Sequence, residues 1–455
     1  MRIDTEPEQS PPHAAQPLDG AEAAATEGMA AGRGAGLGEP ALALQRRLLA
    51  SRTFRALDSY NYRLFISGQL VSQCGTWLQR TAQAWLVLDL TGSPVALGLI
   101  TALQTLPILL LSLFGGVIAD RVPKRRFLIF LLTGETIQAA VLAVLTISGQ
   151  IQVWEIGVLA FALGALTALE SPTRQAFVSE LVAPDHVQSA VSLNSSIFNA
   201  ARIVGPGLGG VIIAVWGTGI CFALNAASFL ATLTGLFLMR PALLHAGRRA
   251  GRGAVWTQLA DGLRYVARTP ALAFPVVLLA FLGTFGYNFT VTLPLLARFT
   301  LDIGSVGFGS LNAAMGVGSL IGALGVAARV RPTRRNVLWA AAGFSVMFLL
   351  LAISRWYLAS LAILVVLGLL SVQYSALTNT SLQIGSREEY RGRVMSLYLL
   401  LFAGTSPIGG AITGGLADLW GIQVALGLEA AVCLLVVAAG FGYLCWARGH
   451  EAASA

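Results

Sequence analysis

Charge is what this chain has least of. Only 11% of its 455 residues are Asp, Glu, Lys or Arg, against roughly a quarter in a soluble globular domain, whose surface has to be wetted. The length suffices for two or three soluble domains, but the charge to coat them is missing. Lysine is nearly absent: Lys124 is the single one among 30 Lys+Arg, so 29 (30 − 1) are arginine. A P-loop of the form G-x-x-x-x-G-K-[ST] places a lysine on the nucleotide phosphates. Lys124 lies in Val-Pro-Lys-Arg-Arg instead, so the chain is not a self-contained P-loop ATPase. The four cysteines (Cys74, Cys221, Cys433, Cys445) sit in apolar stretches without a Cys-x-x-Cys pair or a secreted disulfide framework, and they read as small buried hydrophobes. Four scattered histidines (His13, His186, His245, His450) argue against a His metal cluster. We expect no cofactor, no bound metal, no nucleic-acid partner and no enzyme site of soluble type.

What is present is apolar length. Hydrophobic residues make up 55% of the chain, and no charge falls between Asp89 and Asp120, Arg202 and Arg240, Arg268 and Arg298, or Arg355 and Arg387. As helices, windows of roughly 20 apolar residues span a hydrocarbon core of about 30 Å. Residues 1–57 are rich in Ala, Gly, Pro and Glu with no apolar block. They read as a disordered tail, without the positive start and apolar core of a secretory signal; a start at Met29 stays open. From there the pattern predicts twelve helices, beginning near Tyr62, Pro94, Phe127, Val153, Val187, Ile220, Ala271, Val306, Val337, Leu358, Val394 and Ile422. Loops on one side hold 25 Lys+Arg, while those on the other hold Arg298 and Arg355. This asymmetry predicts cytoplasmic N- and C-termini in a plasma (inner) membrane, with the bilayer as constant partner.

The longest joint, basic and near the middle, predicts a partition into residues 1–57 (tail), 58–240 (six-helix bundle), 241–270 (cytoplasmic linker), 271–447 (second six-helix bundle) and 448–455 (tail). The halves echo each other. Ser93-Pro-Val-Ala-Leu-Gly98 opens the second helix as Ser305-Val-Gly-Phe-Gly309 opens the eighth. Val191-Ser-Leu193 precedes a Pro-Gly-Gly cluster, as Met395-Ser-Leu397 precedes Pro407-Ile-Gly-Gly410. Parallel halves about an axis along the membrane normal are a transporter architecture with its site near the midplane.

Two motifs sharpen this. Gly115-Gly-Val-Ile-Ala-Asp120-Arg121-Val-Pro-Lys124-Arg125-Arg126 joins the second and third helices. Gly116 permits close helix approach, Asp120 suits a neighbouring helix N-terminus, and an ordinary positive-inside loop accounts for Lys124, Arg125 and Arg126. The fifth helix carries Gly205-Pro206-Gly-Leu-Gly209-Gly210, a bend with tight packing. The first segment resembles the G-x-x-x-D-R-x-G-R-[RK] signature of the major facilitator superfamily, with Pro123 where the family often has Gly. The second resembles its antiporter motif G-P-x-x-G-G. Glu170-Ser-Pro-Thr-Arg174, Arg391-Gly-Arg393-Val-Met-Ser-Leu and the segment Gln79–Pro94 are similar to the enterobactin-exporter and macrolide-efflux branch. The resemblance covers about residues 55–445. It implies an all-α fold of twelve transmembrane helices in two pseudo-symmetric six-helix halves. It also implies a conformational latch at Gly116, Asp120, Arg121 and Arg125, and export.

Ionisable residues inside the spans are functional candidates by default. Gln69, Gln73, Thr76, Arg80 and Gln83 follow one another at steps of three and four, which is one helical face, and they read as a cavity lining or as a stripe buried against other helices. Glu170 and Arg174, four apart around Pro172, can pair; Glu170 reads equally as proton carrier or as structural ion-pair partner. Glu135 ranks second and Glu429 third, with Arg202 a partner for either. By the resemblance, the seventh and tenth helices line the cavity, offering Tyr287, Asn288, Gln373, Tyr374, Asn379 and Gln383. The substrate-binding set is thus Gln73, Thr76, Arg80, Arg174, Tyr287, Asn288, Gln373, Tyr374 and Asn379. The expectation is a monomeric secondary active exporter of an amphipathic small molecule (siderophore, macrolide-like drug or metabolite), working by proton antiport with alternating access. The alternatives are a proton-coupled importer of a small nutrient and a non-transporting scaffold or receptor.

Overall fold

In the computed structural model, residues 54–245, 255–329 and 333–453 are described. Side chains at 112–117, 119–120, 255–260, 270–271, 326–329, 403 and 445–453 are not. Every regular element among the described residues is helical. The first bundle comprises α1 (Tyr60–Thr91), α2 (Pro94–Arg121), α3 (Lys124–Ile147), α4 (Val153–Leu181), α5 (Val187–Trp216) and α6 (Thr218–Leu238). A connecting helix α7 (Val255–Ala267) precedes the second bundle. This begins with α8 (Pro270–Phe281) and α9 (Phe289–Leu295), followed by α10 (Ser305–Arg329), α11 (Arg334–Ile353) and α12 (Tyr357–Gly385). It ends with α13 (Glu388–Ala403), α14 (Ser406–Trp420) and α15 (Ile422–Ala453).

Local chemistry sets the joints. Ser59 caps α1 by accepting from the Tyr62 amide, and Gly92, at φ 60°, ends it in the left-handed conformation. Ser93 then accepts from the Ala96 amide, with Pro94 at the first helical position of α2. Eleven helical stretches are long and apolar enough to cross a membrane, α8–α9 and α13–α14 each counting as one. The remaining long helix, α1, packs among them but buries Gln69, Gln79 and Gln83, and this polarity lowers its hydropathy. The protein is an all-helical, multi-pass membrane protein.

The two halves repeat their packing. In the first, α2 lies on α4 and α3 on both α4 and α6; in the second, α10 lies on α12 and α11 on both α12 and α15. The two most extensive contacts between the halves are the crossings of α5 with α10 and α2 with α14, with α9 also touching α1 and α2. Each crossing is made of glycine. A Cβ on Gly309 would stand 2.7 Å from the Pro206 carbonyl oxygen and 3.0 Å from the Gly210 Cα. A Cβ on Gly98 would stand 2.6 Å from the Gly410 carbonyl oxygen and 3.1 Å from the Gly414 Cα. These are the positions at which the halves echo each other in sequence: small residues let backbones touch where association rests on packing.

Several sequence expectations shift. Eleven of the twelve helix starts fall within three or four residues of expectation, but α13 begins at Glu388 rather than near Val394. Glu388 and Glu389 fill its first turn, where the dipole favours acid and an apolar window sees nothing. Within the expected 1–57 tail, residues 1–53 lie outside the described part, while Arg55–Asp58 form a 3-10 turn with Ala56 buried. The Ala56 amide donates to Ser189 Oγ at 3.1 Å. The expected 241–270 linker contains α7, whose Tyr265 ring stacks on Tyr390 at 4.2 Å and whose Asp261 meets Arg393 at 3.5 Å.

Candidate functional site

Where the halves meet, a cavity of about 270 Å³ is lined by α1, α2, α4, the α8–α9 break, α10 and the α13–α14 junction. Its wall includes Trp77, Arg80, Thr81 and Gln83 from α1, Gln104 from α2 and Thr167 from α4, facing Tyr287, Thr290, Phe308, Asn312 and Phe402. Arg80 is the twenty-first residue of α1, about 30 Å along it at 1.5 Å per residue, deep within the bundle.

The α8–α9 break gives the second half its wall. The helix passes through a π turn at Leu282–Gly286, unwinds at Tyr287 and Asn288, and resumes at Phe289. Irregular backbone at membrane depth persists only where it is buried or lines a cavity. Tyr287 Oη donates to the Ser371 carbonyl at 2.8 Å, its ring stacks on Phe344 at 5.1 Å, and the ring edge meets Phe402 at 5.0 Å. The aromatic face is thereby held rigidly in the wall.

Directly behind the first half's wall lies a buried charge cluster. Arg174 Nε donates to Glu170 Oε1 at 2.8 Å. Pro172 leaves α4 continuous across this turn, so the four-residue spacing closes as the helix geometry requires. Thr167 Oγ1, at the cavity, donates to Glu135 Oε1 at 3.3 Å. Glu135 lies within electrostatic reach of Glu170, Arg174 and Arg80. The third helix therefore contributes to the site through Glu135, bound to Thr167 of the cavity wall. Glu429 is separate, on α15, where Thr413 Oγ1 donates to its Oε1 at 2.6 Å and its Oε2 has no partner among the described residues.

Arg202 does not pair with Glu135 or Glu429. Its guanidinium lies 5.9 Å from the centroid of Trp77, over which Arg80 also stands at 5.1 Å. The reason is Gly205, one turn on: a Cβ there would meet Trp77 Cβ at 2.5 Å and the Cys74 carbonyl at 2.9 Å. Its absence lets α5 lie against α1 beneath the indole. The second half of that motif meets other partners. A Cβ on Gly209 would lie 3.4 Å from the Thr81 side chain and one on Gly210 would run into the backbone of Ser305 and Gly309, while Ser305 Oγ donates to the Gly210 carbonyl at 3.0 Å.

Of the residues anticipated for binding, Arg80 and Tyr287 line the cavity and Arg174 stands behind it. Gln73 donates to Gln69 at 3.3 Å, Thr76 to the Ser72 carbonyl at 3.0 Å, and Asn288 to the Thr284 carbonyl at 2.6 Å, all within their own helical turns. Gln383 donates to Asn379 at 2.6 Å, Tyr374 is fully buried, and Gln373 is half-buried, none of them among the lining residues. The sequence reading missed Gln104, whose Oε1 accepts from Gln83 Nε2 at 3.2 Å. A lone amide in the charge-free run after Asp89 was the available signal. At the anticipated latch, Gly116 and Asp120 lie outside the residues whose side chains are described. Arg121 is exposed, and Arg125 caps the end of α6, with Nε donating to the Leu236 carbonyl at 2.8 Å and Nη2 to that of Phe237 at 3.3 Å. Beside it, Lys124 pairs with Glu180 at 2.7 Å.

The side opposite the arginine-rich loops is closed. Beyond the glycine crossings, Trp85 stacks on Phe308 at 5.8 Å, and Arg298 reaches Asp89 at 3.2 Å while lying over Trp85 at 5.7 Å. The ion pair is nearly half exposed, so it contributes only about 0.2–1 kcal/mol. Asp89→Asn is expected to raise opening on that side by no more than about fivefold, measured as the labelling rate of a cysteine placed at Asn312. A far larger change would make the pair, rather than the packing, the closing element.

A family description for transmembrane secretion effectors matches residues 51–454. The staphyloferrin A transporter of Staphylococcus aureus is 25% identical over 362 residues, 79% of this chain and 90% of that protein. The multidrug efflux pump Tap of Mycolicibacterium fortuitum is 27% identical over 391 residues, 83% and 94% of the two. Among solved structures, a bacterial homologue of the human lysosomal transporter Spinster superposes with a TM-score of 0.67 at 12% identity, covering 84% of this chain and 96% of that one.

Proposed function

This chain belongs to the transmembrane secretion effector family of the major facilitator superfamily, and from that premise we propose that it exports an amphipathic small molecule by proton antiport with alternating access. Proteins of this family are transporters, not enzymes. The observation that carries the reading is the cavity between the halves, with Arg80 in its wall and Glu135, Glu170 and Arg174 behind it. A carboxylate that changes charge there changes the field on whatever occupies the cavity, because charges in a dry interior are weakly screened. Two halves joined by narrow glycine crossings can rock about that site. Glu170 is the first candidate for the coupling proton and Glu135 the second.

The arginine excess in alternate loops supports the further reading that both termini are cytoplasmic and the membrane is the plasma (inner) membrane. The partition into bundles 58–240 and 271–447 around linker 241–270 follows the repeat. The conformation described, closed opposite those loops, is then the one that loads from the cytoplasm. Ser192, Ser195 and Ser196 are exposed on the loop-side half of α5 and suit a wet entrance. The siderophore and drug transporters among its relatives support an amphipathic load carried outward, and the expected working unit is a monomer. Purified protein in liposomes under an imposed pH gradient tests this with a panel of siderophores, macrolides and fluorescent dyes. Gradient-driven movement of a panel member against the proton flow is the expected result. Movement with the proton flow would make the protein an importer, and no movement by folded protein would leave a scaffold.

A further inference from the structure

Within the transporter reading, on which this rests, the cations at the cavity are oversupplied. Arg174 is satisfied by Glu170 at 2.8 Å. Arg80 and Arg202 make no ion pair and no hydrogen bond among the described residues, and both guanidinium groups lie within 6 Å of one indole, Trp77. No Asp or Glu is among the residues lining the cavity. The carboxylate facing Arg80 is Glu135, held one layer back by Thr167. Glu135 and Glu170 thus answer Arg80 and Arg174, and Arg202, against Trp77, is left as the surplus cation. A cation left without a counter-ion at membrane depth costs several kcal/mol, so a cavity built this way favours a ligand that brings the missing charge.

We propose that the cavity binds its load through an anionic group, a carboxylate or phosphate on an aromatic or amphipathic body, held by Arg80 beside Trp77, with Arg202, outside the lining but against the same indole, adding its positive charge. The guanidinium fork matches the two oxygens of such a group and keeps its flat face free to stack. The body of the ligand then lies against Tyr287, Phe308 and Phe402 on the far wall, where ring faces add contact without demanding a fixed partner. Gly205 belongs to the same device: it admits Trp77 and so sets Arg202, one turn earlier on α5, over the ring. Glu135 is the internal counter-ion with which the ligand competes for Arg80.

The test uses full-length purified protein and three probes of one shape and different charge: 4-(pyren-1-yl)butyrate, the corresponding alcohol and the corresponding amine. Saturable energy transfer from tryptophan to pyrene reads binding, and thermal melting confirms folding of each variant. The carboxylate is expected to bind at least tenfold tighter than the amine. Arg80→Gln and Arg202→Gln should each reduce that preference at least fivefold, whereas Glu135→Gln should strengthen carboxylate binding severalfold. Arg80→Lys, which keeps charge but loses the fork, should fall between. An amine bound as tightly as the carboxylate, a preference retained in both glutamine variants, or no saturable carboxylate binding to folded protein would overturn the proposal. Displacement by phthalate assigns a free organic anion and displacement only by lysophosphatidylglycerol assigns a lipid headgroup; displacement by neither overturns it. Protein that carries a cationic dye across liposomes yet rejects the carboxylate keeps the exporter reading and loses this one.

Discussion

Replacing Gly210 with valine is expected to leave the protein folded and to abolish closure on the side opposite the arginine-rich loops. The heavy atoms nearest a Cβ at this position are backbone atoms of Ser305 and Gly309, all in the other half. The substitution therefore acts first on the contact between the halves. The conflict is with backbone, which cannot rotate away as a side chain does, so the overpacking cost of about 1–3 kcal/mol falls on one conformation alone. A differential of that size moves a two-state equilibrium about 5–150-fold. With Asn312→Cys at the cavity, labelling from the closed side by a membrane-impermeant thiol reagent should accelerate at least tenfold, and transport should fall by a similar factor. Gly207→Val on the same helix is the control, since the nearest atom there is Ala313 Cβ at 3.9 Å. Equal labelling in the two variants would show that the crossing does not govern access.

The same reasoning makes Gly414 the twin of Gly210, its nearest atoms being backbone of Pro94 and Gly98 in the first half. The crossing of α2 with α14 repeats that of α5 with α10 with the halves exchanged, and Gly98 faces Gly410 and Gly414 as Gly309 faces Pro206 and Gly210. The Gly-Pro-x-x-Gly-Gly segment thus divides its labour. Gly205 seats Trp77 within the first half, while Gly210 touches the second. One motif couples the floor of the cavity to the surface on which the halves meet.

Most of this fold is legible in the sequence because hydrocarbon is an unforgiving solvent: a span has to be long, helical and apolar, and windows such as that between Arg202 and Arg240 can hardly be anything else. The exceptions share a physical cause. Hydropathy is blind to backbone geometry, so the stretch from Pro270 to Thr300 reads as one helix although it unwinds at Tyr287 and Asn288. Gly283, Gly286 and Pro294 are the local hints nearest the break. Periodicity assigns a face but not its neighbour. The stripe along α1 was visible, yet only Arg80 and Gln83 of it reach the cavity, while Gln73 and Thr76 bond within the helix. Arg202 was read against the glutamates because opposite charges attract. The actual arrangement over Trp77 depends on how closely α5 approaches α1, which is tertiary information carried by Gly205.

Glu170→Gln is expected to remove gradient-driven transport while leaving substrate binding within about threefold of the native protein. The glutamine keeps shape and one hydrogen-bond acceptor for Arg174 Nε, now held at 2.8 Å by the carboxylate, but it cannot exchange a proton with the medium. Both partners of the pair are nearly buried, so a truncation such as Glu170→Ala strands a cation, which in a buried pair costs about 3–5 kcal/mol. The glutamine variant separates the two roles, because Glu135 stays within electrostatic reach of Arg174 and stands in as counter-charge. Three measurements on one preparation divide the possibilities: melting temperature, equilibrium binding, and flux in liposomes with and without a pH gradient. A carrier residue predicts near-native melting and binding, exchange of substrate down its own gradient, and a loss of at least tenfold in flux driven by pH. A residue that only braces Arg174 predicts reduced melting, with any surviving flux still responsive to pH. In that second case the coupling proton passes to Glu135, the other carboxylate of the cluster, and Glu135→Gln should then show the loss that Glu170→Gln does not.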